Sequence, residues 1–265
     1  MPRANRYFVP NRVWHITHRC HKREFLFKFA KDRQRWLEWL FESKKRFGLT
    51  ILNYMVTSNH IHLLVVGDKD QEVIPKSIQL IAGRAGQAYN QRKERKGAFW
   101  EDRYHATAVD SGIHLIQCLV YIDLNMVRAG VVTHPREWPF SGYEEIQKPR
   151  KRYGLIDHEK LIDLVEAKNQ EDLKQIHQEW MEEKLINGNP FREDQWTETR
   201  AAGGEGFVKE IRDDLGVRAL GRSIVPDGEQ HQLREAQAPY KGHFDPEKGS
   251  LRLKTGFKWD VYPDI

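Results

Sequence analysis

The amino-acid sequence predicts an α+β fold in which helices cover one face of an antiparallel sheet. Segments typical of strands and helices alternate in the order β-α-β-β-α-β as far as residue 109. A third, largely apolar helical segment follows at residues 113–127 and ends at Gly130. This order matches the split βαβ, or ferredoxin-like, arrangement (βαββαβ), extended here by one helix.

The predicted strands are runs of β-branched and aromatic residues. Such runs occupy residues 13–17, residues 50–56, residues 60–66 and the second half of residues 99–109. Only the turn-like Thr57-Ser58-Asn59 separates the second run from the third. These two runs are therefore expected to form a hairpin or to lie as neighbouring strands.

The predicted helices show apolar residues repeated at three and four positions. The first covers residues 31–47, with Trp36 and Leu40 on its apolar face, and Gly48 stops it. The second begins near Ile74 and runs into a basic stretch at residues 92–97. The two helices supply the crossovers that the βαββαβ order requires.

Charge is distributed unevenly along the 265 residues. Residues 1–150 contain 25 Lys and Arg against 15 Asp and Glu, and the remainder contains 18 against 23. The first part is therefore the candidate nucleic-acid binder, although such a charge excess can also be an ordinary solvated face. A basic linker at residues 147–152 predicts a domain of residues 1–149 and an accessory region of residues 150–265. Helical spacing predicts that the accessory region is partly helical, and its role is unknown.

Composition excludes several other classes of protein. The chain is 39% hydrophobic and 31% charged, as expected of a globular protein rather than a disordered or fibrous one. No apolar run approaches the roughly 18 residues of a membrane-spanning helix, and the first residues do not resemble a signal peptide. The two cysteines, Cys20 and Cys118, form neither a disulfide framework nor a CxxC pair. We therefore expect a cytoplasmic protein with no membrane partner.

The strongest local motif is the His-x-His pair at His60 and His62 in the predicted third strand. Residues two apart on a strand point to the same face, so the two imidazoles lie side by side. Two neutral imidazoles can converge on one divalent metal ion. The alternative is a pair of ordinary surface histidines at a strand end, and a third ligand is needed to decide between these readings.

The third predicted helix carries a line of polar residues between two apolar stripes. This line contains Gln117, Tyr121, Asn125 and Arg128 at spacings of four, four and three. Tyr121 and Asn125 therefore share a face one turn apart. Taken alone, they could be a buried aromatic residue and a helix-end residue. Next to the two histidines, they could be a nucleophile and a metal-binding amide.

The sequence resembles the REP-associated tyrosine transposases, a branch of the single-tyrosine HUH endonucleases that includes insertion-sequence transposases. The resemblance covers about residues 6–145 and consists of five blocks in the family's order. They are Trp14-His15-Ile16-Thr17-His18-Arg19, Ser58-Asn59-His60-Ile61-His62-Leu63-Leu64, Phe99-Trp100-Glu101-Asp102-Arg103-Tyr104, Tyr121-Ile122-Asp123-Leu124-Asn125-Met126-Val127-Arg128-Ala129-Gly130 and Trp138-Pro139-Phe140-Ser141-Gly142-Tyr143.

This resemblance implies that Tyr121 is the catalytic nucleophile and that His60, His62 and Asn125 bind the metal, Mg²⁺ or Mn²⁺. It also implies cleavage and rejoining of DNA through a 5′-phosphotyrosine link, with a free 3′-hydroxyl as the other product. The sequence departs from the family in two places. Met126 stands where proline is usual, which predicts that the helix continues, and Cys20 stands where glycine is frequent.

The implied substrate is single-stranded DNA near a hairpin, bound by a monomer or a homodimer. Basic and aromatic side chains of residues 84–104 are the candidate DNA contacts. The candidates for phosphate contacts are Arg84, Arg92, Lys93, Arg95, Lys96 and Arg103, and the candidates for base stacking are Trp100 and Tyr104. Each of them could instead be a solvated helix end or a core aromatic.

Three rival functions remain open. The protein could bind hairpin DNA as a non-cleaving regulator, although such a binder has no need of Tyr121, Asn125 and both histidines. It could be a metal hydrolase that uses water, which predicts that activity survives Tyr121→Phe. It could also be a ferredoxin-like RNA-binding domain, which predicts a dependence on the 2′-hydroxyl.

Overall fold

One continuous sheet with helices on both sides organises the molecule. The computed structural model describes residues 8–187, 193–228 and 230–235. The strands are β1 (Val13–Arg19), β2 (Thr50–Val56), β3 (His60–Val66), β4 (His105–Val109), β5 (Ala201–Gly203), β6 (Arg222–Asp227) and β7 (Gln230–Glu235). The α-helices are α1 (Ala30–Phe47), α2 (Val73–Arg92), α3 (Ile113–Asp123), α4 (Asn125–Arg128), α5 (Tyr143–Gln147), α6 (His158–Val165), α7 (Gln170–Ile186), α8 (Gln195–Glu198) and α9 (Glu205–Leu215).

The first four strands confirm the predicted ferredoxin-like arrangement. They lie in the order β2-β3-β1-β4 and every neighbouring pair is antiparallel. Helix α1 connects β1 to β2, and α2 connects β3 to β4. The first helix ends as its sequence predicts, because Gly48 adopts φ +71° and its N–H donates to the Lys44 carbonyl at 2.9 Å.

The two faces of this sheet differ in chemistry. Register places Thr17 of β1 opposite His62 of β3 and opposite His105 of β4, and it places His15 opposite Thr107. Opposed residues share a face, so one face carries a group of histidines and threonines. The alternate residues of β1, such as Trp14 and Ile16, point to the opposite, apolar face. The side chains that could bind a metal ion or react therefore lie on the polar face.

The third helix lies over the polar face but is shorter than predicted. It ends at Asp123, and the separate short helix α4 begins at Asn125. Leu124, with φ −74° and ψ 0°, lies between them and marks a local break in the helix. The expectation of an uninterrupted helix through Val127 was therefore wrong.

The accessory region extends the sheet, which its composition did not predict. Strand β5 pairs with β4 in parallel, and β7 and β6 follow in the full order β2-β3-β1-β4-β5-β7-β6. Strand β5 is only three residues long and β6 and β7 are largely polar, so none of them gives a clear strand pattern. The predicted partly helical character is confirmed by α6, α7 and α9.

The boundary at residues 149 and 150 remains a prediction about which part of the chain folds independently. The described residues belong to one compact unit that ends at Glu235, and residues 236–265 of the predicted accessory region lie outside the described residues. Both cysteines are buried thiols. In the described part of the chain, no helix has both the length and the apolar character needed to cross a bilayer.

Candidate active site

A cavity of about 480 Å³ opens on the polar face, at the ends of β1 and β3. Its walls come from β1, β3, the segment around the start of β4, the α3–α4 region and α8. They consist of Thr17, His18, Arg19, His60, His62, Glu101, Asp102, Arg103, His105, Tyr121, Asn125, Arg128, Ala129, Thr197 and Glu198. The structure therefore brings together Tyr121, Asn125 and both histidines of the motif.

The first histidine of the motif is held by the turn that precedes its strand. His60 Nδ1 lies 2.7 Å from Asn59 Oδ1 and 3.0 Å from Thr57 Oγ1. The Thr57 hydroxyl donates its own proton to the His60 carbonyl at 2.8 Å, so both of these oxygens can accept from the ring. The neutral ring consequently carries its proton on Nδ1 and its lone pair on Nε2.

The second histidine is buried between a third histidine and an amide. His62 Nδ1 lies 2.9 Å from Nε2 of His15, and the two rings are parallel with centroids 5.1 Å apart. On its other side, Asn125 Nδ2 donates to His62 Nε2 at 3.0 Å. The ring of His60 is 5.0 Å from the ring of His62. His62 is thus fixed at the centre of the site.

Burial keeps the inner histidines neutral. Desolvation lowers the pKa of His15 to about 3, an effect that the nearby His105 reinforces and that the hydrogen bond to the Trp196 carbonyl partly offsets. Desolvation also lowers the pKa of His62 well below its ordinary value, and repulsion from His60 and His15 adds to this. Neutral imidazole is the form that binds metal ions.

The donor set suits a divalent cation. His62 Nε2 and the Asn125 amide are 3.0 Å apart, so both can approach one ion once the amide turns its oxygen toward it. His60 can add a second imidazole through Nε2. Within the described residues, no group of three or more His, Cys, Asp or Glu is arranged to hold a metal, so the candidate ligand set includes an amide.

Tyr121 lies beside these candidate metal ligands, and the guanidinium of Arg128 lies over its ring. Its ring centroid is 5.9 Å from that of His62 and 6.1 Å from that of His15. The guanidinium of Arg128 lies 4.2 Å from the Tyr121 ring centroid, and its Nη2 donates to the Tyr121 carbonyl at 2.8 Å. Burial lowers the pKa of Arg128 from its ordinary value, an effect that attraction to Tyr121 opposes. A half-buried cation therefore lies over the ring of Tyr121.

A second polar cluster anchors the end of α3. Asp123 is buried, accepts from Asn53 Nδ2 at 3.1 Å and lies 2.9 Å from His177 Nε2 on α7. Gln147 Nε2 lies 2.9 Å from Nδ1 of the same histidine. The accessory region thus helps to fix the end of the helix that carries Tyr121.

The predicted DNA contacts are not gathered in one place. Arg103 lines the cavity, whereas the other five basic residues lie along α2 and the turn after it. Arg92 forms an ion pair with Asp32 on α1, with Nη2 and Oδ2 2.9 Å apart, and Arg84 lies 5.3 Å from the ring of Trp39. Lys93 lies 5.6 Å from the ring of Phe29. Arg95 is half-buried and Lys96 is exposed.

The two aromatic candidates are largely occupied by protein contacts. Trp100 stacks on His18 with ring centroids 3.9 Å apart, and its indole donates to the Ala82 carbonyl at 3.0 Å. Tyr104 packs parallel to Phe8 at 6.3 Å. Stacking of a DNA base on either ring would use only the part that these neighbours leave accessible.

Comparison with known families identifies the part of the chain that carries the site. Residues 9–125 match the family model described as Transposase IS200 like. This part of the chain is similar to the IS200-like transposases. The match includes both histidines of the motif and ends at Asn125. No curated protein matches the chain.

Two solved structures are similar to parts of this chain. One is described as a REP-associated tyrosine transposase bound to a REP hairpin, with 18% identity, a TM-score of 0.46, and coverage of 59% of this chain and 94% of that chain. The other is a putative transposase from Deinococcus radiodurans, with 17% identity, a TM-score of 0.32, and coverage of 49% of this chain and 92% of that chain.

Sequence reasoning did not assign a role to three residues in or beside the site. His15 was noted only as part of a motif block, although strand alternation and antiparallel pairing could have placed it near His62. Arg128 belonged to the polar line of the third helix without being assigned a role. Trp196 has no local signal at all, because its contribution is a backbone carbonyl brought to the site by the fold.

Proposed function

We propose that this protein is a REP-associated tyrosine transposase that cleaves and rejoins single-stranded DNA beside a hairpin. Tyr121 is the nucleophile, and His60, His62 and Asn125 hold Mg²⁺ or Mn²⁺. The observation that carries the proposal is the convergence of Tyr121, His62 and Asn125 on one cavity with Arg128 over the tyrosine ring. The five sequence blocks given above support the same branch of the family.

The proposed reaction is a transesterification at phosphorus. The phenol oxygen of Tyr121 loses its proton and attacks, a P–O bond to tyrosine forms, and the bond from phosphorus to the 3′-oxygen breaks. The leaving 3′-oxygen takes up a proton, which gives a 5′-phosphotyrosine and a free 3′-hydroxyl. Attack by a 3′-hydroxyl on the phosphotyrosine reverses these bonds and rejoins strands, so no external energy source is needed.

The residues of the cavity have distinct parts in this reaction. A bound divalent cation supplies polarisation of a non-bridging phosphate oxygen. Arg128 stabilises negative charge that develops on the tyrosine oxygen, because its guanidinium lies against the ring. Arg19 and Arg103 supply positive charge at the cavity wall for the DNA backbone. The basic residues along α2 extend this contact outward to the hairpin.

Replacing the nucleophile tests the proposal directly. A hairpin oligonucleotide with a single-stranded flank is labelled at its 3′ end, incubated with protein and Mn²⁺, and resolved by denaturing gel electrophoresis. We expect wild-type protein to yield a labelled covalent adduct, and Tyr121→Phe to bind the hairpin but to form neither adduct nor cleaved product. Tyr143→Phe is the matched control, since it removes another buried phenol oxygen on α5, and it should form adduct normally. Cleavage by Tyr121→Phe at the wild-type rate would leave a water-using hydrolase as the explanation.

The metal role has its own test. His62→Ala should lose cleavage while keeping most of its hairpin affinity, because phosphate contacts dominate binding. A chelator should stop wild-type cleavage, and added Mn²⁺ or Mg²⁺ should restore it. Undiminished cleavage in excess chelator would exclude the proposed ligand set.

A further inference from the structure

A chain of hydrogen bonds connects the accessory region to the centre of the site. The backbone carbonyl of Trp196, on α8, lies 2.8 Å from Nδ1 of His15. Nε2 of His15 lies 2.9 Å from Nδ1 of His62, and Nε2 of His62 lies 3.0 Å from the Asn125 amide. His15 and Trp196 are fully buried and His62 is 2% exposed, so bulk water does not compete for these contacts.

The Trp196 carbonyl at one end of this series determines which ring nitrogen of each histidine carries the proton. A carbonyl oxygen only accepts, so His15 must carry its proton on Nδ1. A neutral imidazole carries one proton, which leaves a lone pair on His15 Nε2. His62 must therefore donate from Nδ1, and its own lone pair falls on Nε2, facing Asn125. The opposite tautomers would set the lone pair of His15 Nδ1 against the Trp196 oxygen at 2.8 Å.

We propose that His15 is a positioning residue that holds His62 as the Nδ1–H tautomer. The Trp196 carbonyl of the accessory region determines the tautomer of His15 and, through it, that of His62. We call this series of hydrogen bonds from Trp196 through His15 to His62 the relay. The inference rests on the proposed metal role of His62. In this tautomer the Nε2 lone pair of His62 is available as a metal ligand before any metal ion binds. A metal-bound histidine whose other nitrogen lacks a partner has a lower affinity for its ion, typically by about 10–100-fold.

The segment that supplies the carbonyl is held on the polar face by several independent contacts. Thr107 Oγ1 donates to the Thr199 carbonyl at 2.8 Å, and His105 Nε2 lies 2.7 Å from the same oxygen. The indole of Trp196 donates to Glu193 Oε2 at 2.7 Å. Strand β4 therefore fixes the end of α8, and the position of the Trp196 carbonyl does not depend on His15 alone.

The first measurement is of the tautomer in metal-free wild-type protein. Long-range ¹H–¹⁵N correlation spectra of uniformly labelled protein distinguish a protonated ring nitrogen from an unprotonated one. We expect His62 to show protonated Nδ1 and unprotonated Nε2. Protonated Nε2 on His62 would overturn the relay, whether or not the protein binds metal or cleaves DNA.

The second measurement uses two variants of His15. In His15→Leu the Nδ1–H of His62 loses its acceptor, so we expect His62 to populate the Nε2–H tautomer and Mn²⁺ affinity, measured by calorimetry, to fall by about 10–100-fold. In His15→Gln the side-chain amide can accept from His62 and donate to Trp196, so we expect the wild-type tautomer and Mn²⁺ affinity to be largely recovered. Unchanged tautomer and affinity in His15→Leu would refute the proposal.

A matched control separates positioning from a general structural effect. Tyr54→Phe removes a buried hydroxyl from β2 that donates to Glu145 Oε2 at 3.2 Å, outside the contacts of His15, His62 and Trp196. We expect it to lower thermal stability while leaving the His62 tautomer unchanged. If His15→Leu does not fold, the wild-type spectrum and His15→Gln decide the question. Absence of Mn²⁺ binding by wild-type protein with the expected tautomer would overturn the proposed metal role and leave the relay standing.

Discussion

The guanidinium over Tyr121 is the residue-scale feature with the most direct kinetic consequence. Arg128 is held by the Tyr121 carbonyl at 2.8 Å, so its charge stays close to the ring when the phenol attacks. We expect Arg128→Met to slow formation of the covalent adduct by about 100-fold, in the range seen when a charge-stabilising donor is removed. Single-turnover kinetics with labelled hairpin at saturating protein measure this step apart from DNA binding.

An exposed arginine serves as the control for that variant. Arg46 on α1 bonds to Glu42 at 2.7 Å and lies outside the cavity lining. Arg46→Met removes the same charge and should leave the single-turnover rate at the wild-type value. Equal rates for Arg128→Met and wild type would show that the arginine has no part in the chemical step.

The low pKa of His15 makes stability dependent on pH. The folded protein holds His15 neutral down to about pH 3, whereas the unfolded chain protonates it near 6.5, so the unfolded state binds more protons between these values. Stability is therefore highest above pH 6.5 and is lost as the pH falls toward 3. For His15 alone the loss between pH 7 and pH 5 is about 2 kcal/mol. Urea unfolding at both pH values should show this loss, and the pH effect should shrink by about that amount in His15→Leu.

At the scale of elements, the buried Asp123–His177 pair joins α3 to α7. Removing the histidine leaves a fully buried carboxylate without one of its partners. We expect His177→Leu to lower the free energy of unfolding by about 3–5 kcal/mol, the usual cost of breaking a buried pair on one side. Denaturant melts measure it, and Lys174→Met, which breaks an exposed ion pair on the same helix, should have no measurable effect. A free energy of unfolding for His177→Leu equal to that of the wild type would show that the Asp123–His177 contact does not stabilise the fold.

Most helices and strands of residues 8–149 were predictable because their signals are local. Apolar repeats defined α1 and α2, and Gly48 ends α1 as predicted, with the positive φ that is common at a helix C-terminus. The break at Leu124 was not predictable, because both sides of it read as helical in sequence. The site was predictable where residues act through side chains in a motif, as at His60 and His62. It was not predictable for Trp196, whose contribution is a carbonyl that any residue could supply.

At the scale of the whole molecule, the parallel pairing of β4 with β5 determines whether the strands of the accessory region remain part of the sheet. Gly203 lies so close to β4 that an added Cβ would meet Asp110 Cβ at 2.4 Å, a contact that only backbone movement can relieve. Asp110 Oδ2 also accepts from the Gly204 N–H at 3.0 Å. We expect Gly203→Ala to separate β5 from β4, and hydrogen exchange should then rise in β5 and β7 while β1 and β3 stay protected.

A second glycine in the same segment provides the control. Gly206 lies in α9, and a Cβ added there meets nothing within 4 Å. Gly206→Ala should therefore leave exchange in β5 unchanged and raise stability by about 0.4–1 kcal/mol. Similar exchange profiles for the two variants would show that close packing at Gly203 does not hold the accessory strands.

The long sequence separation between His15 and Trp196 has a consequence during synthesis. Strands β1 to β4 are complete once the ribosome has made residue 109, but the carbonyl that accepts from His15 is added about 90 residues later. At bacterial or eukaryotic elongation rates this is an interval of roughly 5–20 s, during which His15 Nδ1 lacks the carbonyl that accepts from it in the complete protein. His15 thus gains its carbonyl partner only after the strand that carries it has been complete for several seconds. Ribosome-bound chains stalled at residue 150 should resist protease in β1 and β3 yet leave His15 open to a histidine-modifying reagent, and chains stalled beyond residue 240 should protect it.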